Sequence, residues 1–515
     1  MLRGTLSAHT ICELPNSSPQ AGCIEPLEHR NVEYQLIREP MAWALVVAEK
    51  ISGRRHALTQ ITDAYKLFEE FDGEIILLEV QHNEHGFNLR LVSNGNGVAP
   101  VYFYQNGTAL NLDWDSYRLA QTVPYKLLDF QFLCRAIVDP VYTYRTPFSN
   151  IQSLPPRTQL LWDGSRLAIS QLDGEESNAE VDRDDAGDFI IGHVADYLTK
   201  RAQPNQRFAA ELSGGIDSSF VALAAFRAWQ GRGITLGIDI GFGHERTSQL
   251  KRRNEVITAL GCQDFLIDIR EHLPAFDLSV EDLESRYLLS EEYESAFKRI
   301  WQIAQEHGCD VIAGGYGGDE LFPTLEIEEV RQDKLRGVTD EDFSRIQLVY
   351  EKLFTSKALQ SLNDGFIGEL NPGHLGKSAR LAAMKRAPLL LNRGFWPVFP
   401  LFDEKLAAAL LSATADERHE KSALQQAVRA LLGDNDIFGL YEKETLEGAS
   451  HHSLAANTDE VIRVLANSRL IDAGILKGGV LSMDSIGDIS VRGNPFSPVL
   501  SVLYAAEKFM RCNLT

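Results

Sequence analysis

The chain has 515 residues, of which 44% are apolar, and this is enough for two or more domains with separate cores. Its 50 basic and 72 acidic side chains give a net charge of −22, which argues against a nucleic-acid partner because phosphate contacts rely on clustered Lys and Arg. The six cysteines lack the spacing of a zinc site or a disulfide scaffold. The sequence shows no signal-peptide core and no run of about 18 apolar residues, so we expect a cytoplasmic protein without a membrane span.

The N-terminal third has the pattern of a β-rich domain. Short apolar or alternating runs occur at 42–48, 74–80, 87–92, 98–104 and 109–112. Asn94–Gly97 and Gln105–Gly107 supply the turn residues that hairpins between such runs require. We therefore expect a sandwich-like N-terminal domain over residues 1–172. Residues 173–188 form a polar, acidic run that is typical of an interdomain linker.

From residue 189 to residue 515 we expect a second domain, in which strand-like runs first alternate with helical patterns. Strands are predicted at 208–212, 234–240, 265–269 and 311–313, and helices at 189–198, 218–229, 249–260 and 293–306. Strands regularly separated by helices indicate right-handed crossovers and an α/β fold with a doubly wound parallel sheet. Ligands of such sheets bind at the carboxyl ends of the strands. The rest of the chain is predicted to be mainly helical.

The run ELSGGIDSS, residues 211–219, joins the first of these strands to a helix. Its glycines let the backbone turn sharply and present N–H groups to a ligand, and its serines add hydroxyl donors. These residues are Ser213, Gly214, Gly215, Ser218 and Ser219. A helix N-terminus favours an anion, and Asp217 would repel phosphate unless a divalent cation lay between them, so magnesium-bound pyrophosphate is indicated. The alternative is a turn without a ligand, capped by Asp217.

A second glycine-rich run, AGGYGGDELF at residues 313–322, also follows a predicted strand and delivers a carboxylate, Asp319. Magnesium takes one or two carboxylates together with phosphate oxygens and water. Asp217 and Asp319, at the ends of neighbouring strands, are therefore a plausible pair of metal ligands. The alternative for the second run alone is a glycine-rich loop with a helix-capping Asp319.

The two motifs resemble those of the ATP pyrophosphatase superfamily. The wording LSGGIDSS is that of its asparagine synthetase and β-lactam synthetase branch, and the second run resembles the family's Gly-x-Gly-(Ala/Ser/Gly)-Asp motif. The resemblance implies that Asp217 and Asp319 hold magnesium on the pyrophosphate of ATP. It also implies that Leu212, Ser213, Ile238 and Gly315 line the adenosine pocket.

The N-terminal domain resembles, more loosely, the Ntn-type glutaminase domain that precedes the synthetase domain in asparagine synthetases. In that family the glutaminase nucleophile is an N-terminal Cys, and this chain has Leu2 in its place. Cys12 and Cys23 lie inside the chain and cannot offer a free α-amine. We therefore expect a degenerate domain that serves as a structural remnant.

One departure within the second motif concerns the base for amide formation. Tyr316 stands where asparagine synthetases have Glu, and it matches the Tyr of β-lactam and carbapenam synthetases. Those enzymes use a Tyr–Glu pair to deprotonate an amine within the same substrate molecule. The run DGFIGEL resembles the stretch that carries the partner Glu, which points to Glu369. The alternative is that Tyr316 packs as an aromatic side chain and Glu369 is solvated.

Two lysines complete the implied site. The run LYEKETLEG resembles the family's loop whose Lys stabilises the tetrahedral species and the leaving adenylate, so Lys443 takes that role by resemblance. Lys421 precedes a helix start that resembles the family's Lys-x-x-Leu, whose Lys contacts pyrophosphate. The alternative for each lysine is surface charge, which is the more common role of a single lysine.

The leading hypothesis is an ATP- and Mg²⁺-dependent, AMP-forming ligase that adenylates a carboxylate and closes an intramolecular amide. The chain resembles β-lactam synthetases and the macrolactam cyclases of lasso peptides, which are enzymes of antibiotic biosynthesis. The substrate would be a small molecule or peptide with a carboxylate and an amine. A lasso substrate would imply a leader-peptide-binding protein and a protease as partners.

Two other hypotheses remain open. Asparagine synthesis is favoured by the wording DELF of the second motif, and it would depend on ammonia because the glutaminase Cys is missing. A nucleotide-binding subunit of a biosynthetic complex is the non-enzymatic hypothesis.

Overall fold

A computed structural model gives the fold for most of the chain. The residues it describes are 1–7, 24–52, 58–84, 86–172, 186–276, 278, 286–288, 292–322, 340–411, 421–433, 437–438, 444–482, 486–487 and 494–514. Most of the expected linker and the expected catalytic Lys443 lie outside these residues.

The N-terminal region forms two antiparallel β-sheets. Its strands are β1 Leu2–Ser7, β2 Ile24–Pro26, β3 Val32–Glu39, β4 Ala42–Glu49, β5 Ile75–Asn83, β6 Gly86–Asn94, β7 Tyr102–Asn106, β8 Ala109–Asp113, β9 Gln152–Ser153, β10 Thr158–Trp162 and β11 Leu167–Gln171. One sheet has the order β2-β1-β8-β7-β9 and the other β11-β10-β6-β5-β4-β3. Among the described residues of this region, three α-helices accompany them, α1 Ile61–Glu70, α2 Ser116–Thr122 and α3 Phe130–Val138.

Strand β4 shows why this region forms layers. Successive side chains of a strand point to opposite faces of the sheet. Leu45 and Val47 lie in the core shared with the other sheet, whereas Val46 and Ala48 pack in a second core beneath α1. Because both faces are covered, β4 reads as a continuous apolar run, and the expected β-rich, layered N-terminal region is confirmed. The Ntn type of this region remains a prediction.

One expected hairpin turn is wrong. The turn at Gln105–Gly107 joins β7 to β8, as predicted. Asn94–Gly97, however, connects β6 of one sheet to β7 of the other. The backbone N–H groups of Asn96 and Gly97 donate to the buried carboxylate of Glu74, which fixes this crossover between the sheets.

The expected parallel sheet is present in the second half of the chain. Its strands are β12 Phe208–Glu211, β13 Gly233–Asp239, β14 Gln263–Asp268, β15 Val311–Ala313 and β16 Trp396–Val398. They are all parallel and have the order β14-β13-β12-β15-β16. The chain thus moves outward from β12 to β14 and then returns to the other side of β12. Such a reversal opens a crevice at the carboxyl ends of the two central strands, β12 and β15.

The other named elements of the described residues are α-helices. They are α4 Ala186–Arg201, α5 Ile216–Ala228, α6 Glu245–Leu260, α7 Glu294–Glu306, α8 Gly318–Leu321, α9 Asp340–Leu353, α10 Ser356–Asn363, α11 Gly376–Asn392, α12 Glu404–Leu411, α13 Ser422–Leu431, α14 Glu447–Ala456, α15 Thr458–Leu465, α16 Arg469–Asp472 and α17 Phe496–Asn513. The four expected helices are confirmed, and α4 already begins within the last residues of the expected linker. In the part of the chain that is described, no helix combines the length and apolarity needed to cross a membrane.

Candidate active site

The first glycine motif forms a compact turn between β12 and α5. Gly214 has a φ of +98°, and a Cβ at this position would lie 2.9 Å from the carbonyl oxygen of Gln249, so only glycine fits without strain. The Ser213 hydroxyl accepts from the backbone N–H of Gly215 at 3.1 Å. The Ser218 hydroxyl accepts from the N–H of Ser213 at 3.1 Å and donates to the Gly215 carbonyl at 3.0 Å. These bonds give the turn one defined shape at the N-terminus of α5.

Helix α6 contacts this turn through Gln249, a residue that the sequence motifs did not indicate. Gln249 is fully buried, and its amide donates to the carbonyl oxygens of Ser213 at 2.8 Å and Ile238 at 2.9 Å. Its side-chain oxygen accepts from the N–H of Ile240 at 3.1 Å. One side chain therefore ties the end of β12 to the end of β13. A polar residue in a helical pattern gives no signal that distinguishes this role from solvation.

The two glycine motifs lie against each other. A Cβ on Gly315 would lie 2.7 Å from the backbone nitrogen of Ser218, and a Cβ on Gly318 would lie 2.2 Å from a carboxylate oxygen of Asp217. Gly317 has a φ of +94° and its missing Cβ would lie 2.5 Å from the Leu401 carbonyl. Gly315 and Gly318 are thus required by the close approach of the first motif, and Gly317 is required by its left-handed backbone and by the neighbouring carbonyl of Leu401. The two motifs are in contact at the carboxyl edge of the parallel sheet, as predicted.

Lys421 connects the two predicted metal ligands. Its ammonium nitrogen lies 2.5 Å from a carboxylate oxygen of Asp217 and 2.8 Å from one of Asp319. Lys421 is buried and has a left-handed backbone, with a φ of +59°, immediately before α13. Burial lowers the pKa of Lys421, but the charges of Asp217 and Asp319 outweigh that effect and hold the pKa above its ordinary value. The lysine is therefore a permanent cation between the two acids.

These residues fit magnesium and pyrophosphate. The described residues contain no group of three or more His, Cys, Asp and Glu side chains that could enclose a metal alone. Two carboxylates are instead the number that magnesium uses when phosphate oxygens complete its octahedron. The hydroxyl oxygen of Ser219, in the first turn of α5, is buried and has no hydrogen-bond partner among the described residues. An anion at this helix N-terminus would find both a free donor and the positive end of the helix dipole.

The residues expected around adenosine lie at the same edge of the sheet. Leu212 follows β12 and is fully buried, and its N–H donates to the Leu236 carbonyl of β13 at 2.7 Å. Ile238 lies near the end of β13 and is also buried. Gly315 follows β15 and touches the first motif. Their contact with adenosine remains a prediction.

Tyr316 lies in an aromatic and cationic cluster. Its ring centroid is 4.9 Å from that of Phe399, and the guanidinium carbon of Arg386 is 5.0 Å from it. Arg386 in turn donates to the carboxylate of Glu211 at 2.9 Å, at the end of β12. The indole of Trp301 donates to the same oxygen at 2.9 Å. Glu211 and Arg386, which the motif analysis did not assign to the site, thus hold the region around Tyr316.

Glu369 is exposed, and its backbone forms an isolated antiparallel bridge with Thr143 of the N-terminal region. Within the described residues, no hydrogen bond joins Tyr316 to Glu369. Their pairing therefore stays a prediction.

The residue after the expected catalytic Lys443 reaches the first glycine motif. Glu444 accepts a hydrogen bond from the Ser213 hydroxyl at 3.0 Å and pairs with Arg252 at 3.0 Å. Arg252 also donates to the Gly214 carbonyl at 2.7 Å. Lys443 itself lies outside the described residues, so its role remains a prediction.

Sequence comparison identifies the segment that contains both motifs. Residues 193–388 match the asparagine synthase family. This match covers less than half of the chain, and it includes β12 to β15 and both predicted metal ligands. The segment is asparagine-synthase-like, and the class of enzyme that it indicates is an ATP-using ligase. Lys421 and Lys443 lie beyond the match. No curated protein matches the chain.

Solved structures with related segments were also found. The NH3-dependent NAD synthetase from Campylobacter jejuni is 16% identical, over 41% of this chain and 97% of its own, with a TM-score of 0.21. The NMN synthetase from Francisella tularensis is 17% identical, over 36% and 92%, with a TM-score of 0.21. The U34-tRNA thiolase NcsA from Methanococcus maripaludis is 14% identical, over 50% and 82%, with a TM-score of 0.21. Scores of this size support no conclusion about this chain.

Proposed function

We propose that this protein is an ATP-dependent, AMP-forming amide ligase that adenylates a substrate carboxylate and closes an intramolecular amide. The observation that carries the proposal is the meeting of Asp217, Asp319 and Lys421 at the crevice between β12 and β15. Two acids and one cation at a helix N-terminus suit the pyrophosphate of magnesium-bound ATP. A site that grips pyrophosphate favours its departure and the transfer of adenylate.

Each group in the site has one task in this proposal. Asp217 and Asp319 hold magnesium, which neutralises charge on the pyrophosphate when it is bound. Lys421 turns from the acids to the phosphate oxygens, and the N–H groups of the first glycine motif bind the remaining oxygens. The substrate carboxylate attacks the α-phosphorus of ATP and pyrophosphate leaves, so an acyl-adenylate forms. Attack of an amine on its carbonyl carbon then releases AMP.

Amine attack requires a base and a cation for the oxyanion. We assign the base to Tyr316 with Glu369, because a phenol with a pKa of about 10 accepts a proton well only when a carboxylate accepts its hydrogen bond. Lys443 is assigned to the oxyanion and the departing adenylate. Tyr316 in place of the Glu of asparagine synthetases supports an amine carried by the same substrate. Holding both ends in one pocket can remove up to about 7 to 11 kcal/mol of barrier.

We propose a lasso peptide macrolactam cyclase or a β-lactam-synthetase-like enzyme as the more specific identity. A peptide substrate would bring a leader-peptide-binding protein and a protease as partners. The second candidate is an ammonia-dependent asparagine synthetase, which the match of residues 193–388 favours.

Nucleotide binding tests the site, and product analysis tests the reaction. Calorimetric titration with ATP and MgCl₂ should show binding to the wild type. Asp217→Asn and Asp319→Asn should each bind Mg·ATP at least about tenfold more weakly, because each variant loses a charged magnesium ligand. Equal affinity in all three proteins would refute the site. Efficient formation of asparagine from aspartate and ammonium would refute the intramolecular reaction and support the second candidate.

A further inference from the structure

The segment that carries Glu369 is held by the N-terminal region. This segment, residues 364–370, follows α10 and precedes α11 in the second half of the chain. Thr143 donates through its hydroxyl to the Gly368 carbonyl at 2.6 Å, and the N–H of Leu370 donates to the Tyr142 carbonyl at 2.9 Å. Both backbone neighbours of Glu369 are therefore bonded to two successive residues of the N-terminal region.

Arg145 extends this contact toward the exposed tip of the segment. Its guanidinium donates to the Ile367 carbonyl at 3.1 Å and lies 4.4 Å from the ring centroid of Phe366. Asp129 fixes the guanidinium with two bonds, at 2.8 and 2.5 Å, and Gln131 accepts a third bond at 2.9 Å. Arg145 makes four hydrogen bonds to three partners with its planar guanidinium, which is more than the three donors of a lysine could supply.

Further contacts make the fit specific. Gly368 has a φ of +94°, and a Cβ there would lie 2.8 Å from the ring of Tyr144, so the segment approaches the N-terminal region as closely as glycine allows. The side chain of Arg135 donates to the Asp364 carbonyl at 3.3 Å, and that of Gln131 donates to the Gly365 carbonyl at 3.2 Å. The backbone carbonyls of four residues in this segment thus accept bonds from side chains of α3 and residues 143–145.

The carboxylate of Glu369 has no hydrogen bond within the described part of the chain, and its side chain is exposed. Its location is therefore set by its backbone alone. We propose that Thr143 and Arg145 are positioning residues for Glu369, and that the N-terminal region supports the catalytic segment. This inference rests on the proposed role of Glu369 as part of the base.

A matched pair of substitutions tests this support without a substrate. Thr143→Val removes the hydroxyl at nearly constant shape, and Thr143→Ser keeps it. Hydrogen–deuterium exchange followed by mass spectrometry should show exchange about tenfold faster for peptides covering 364–371 in Thr143→Val. The reason is that this variant lacks the hydrogen bond from the Thr143 hydroxyl to the Gly368 carbonyl, so the segment opens at a lower cost in free energy. Thr143→Ser should exchange as the wild type does. Peptides of β4 serve as the internal control and should not change.

Arg145→Met provides a second test, with Arg90→Met as the control for removing an arginine elsewhere in the N-terminal region. Faster exchange of 364–371 in Arg145→Met but not in Arg90→Met is expected. Wild-type exchange in both Thr143→Val and Arg145→Met would overturn the proposal, as would equal acceleration in Thr143→Ser. Titration of the same proteins with Mg·ATP tests the proposed function separately from the positioning of residues 364–370. If the wild type binds no Mg·ATP, the proposed function is refuted. The exchange data still decide whether Thr143 and Arg145 hold the segment.

Discussion

Lys421 shows how one side chain can hold two predicted metal ligands together. The two acids that it joins would otherwise face each other across the crevice with like charges. Its raised pKa has a simple consequence for stability. The contribution of Lys421 is fully present below its unfolded value of 10.5 and is lost only as the pH rises through the higher folded pKa. Near neutral pH, the lysine is thus a constant part of the site.

We predict that Lys421→Met lowers the free energy of unfolding by about 1 to 3 kcal/mol, because Asp217 is left without its buried cation. Asp319 contributes less, since 53% of its side chain is exposed and solvent screens its charge. Urea unfolding without metal measures the loss, and MgCl₂ should restore part of it in the variant. Lys377→Met, which breaks a half-exposed pair with Asp139, is the control and should change stability by less than about 1 kcal/mol. A variant as stable as the control would show that the lysine does not hold the acids.

A second residue, Glu74, gives a pH-dependent prediction. Burial and the nearby charge of Glu49 raise the pKa of Glu74 from 4.5 to about 7, although backbone N–H groups oppose the shift. A raised folded pKa means that folding takes up a proton, so this contribution to stability is present below pH 4.5 and is lost as the pH rises to about 7.

We predict that Glu74→Gln flattens this part of the pH profile. The wild type should lose stability relative to the variant between about pH 5 and pH 8, by the order of 3 kcal/mol that a shift of this size corresponds to. Chemical unfolding at several pH values measures the difference. A constant gap between the two proteins across this range would refute the assignment.

At the scale of elements, the position of the first glycine motif depends on α6. Gln249 satisfies three backbone groups at the ends of β12 and β13, and leaving a buried polar group unpaired costs about 1 to 3 kcal/mol. We predict that Gln249→Leu weakens Mg·ATP binding by at least about tenfold and also lowers the melting temperature. Glu255→Leu, a change at a partly exposed position of the same helix, should leave binding within about twofold of the wild type. Unchanged nucleotide affinity in Gln249→Leu would show that α6 does not shape the site.

The sequence predicts most strands of the parallel sheet and part of the candidate site, but not all of the contacts that support them. The alternation of strand-like and helical runs, which is a local pattern, predicted β12 to β15. The position of Asp217 and Asp319 after the ends of neighbouring strands predicted that these two side chains would lie close together. Strand β16, Trp396–Val398, was missed because Pro397 stands at its centre and no glycine motif marks its end, as one does for the equally short β15. The contacts of Gln249 with Ser213 and of Arg386 with Glu211 were missed because the partners lie 36 and 175 residues apart in sequence. Such contacts exist only after the sheet has formed.

At the scale of the whole molecule, a buried ion pair joins the N-terminal region to the parallel sheet. Arg201, at the end of α4, donates to both carboxylate oxygens of Glu49 at 3.0 Å, and both side chains are almost fully buried. The indole of Trp396 in β16 donates to the same carboxylate at 2.8 Å. Burial lowers the pKa of Arg201, but the charge of Glu49 more than compensates and keeps the guanidinium charged. The carboxylate of Glu49 in β4 therefore connects the N-terminal region to both α4 and β16 of the second half of the chain.

We predict that Arg201→Met destabilises the protein by about 3 to 5 kcal/mol, because Glu49 would remain buried without a countercharge. The paired change Glu49→Gln with Arg201→Met should recover part of this loss, since it removes the unpaired charge as well. Urea unfolding of Arg201→Met, of Glu49→Gln and of the paired variant measures the coupling. Arg463→Met, which breaks a pair on the surface, should cost less than about 1 kcal/mol. If Arg201→Met cost no more than this surface change, the buried ion pair would not contribute to holding the two halves of the chain together.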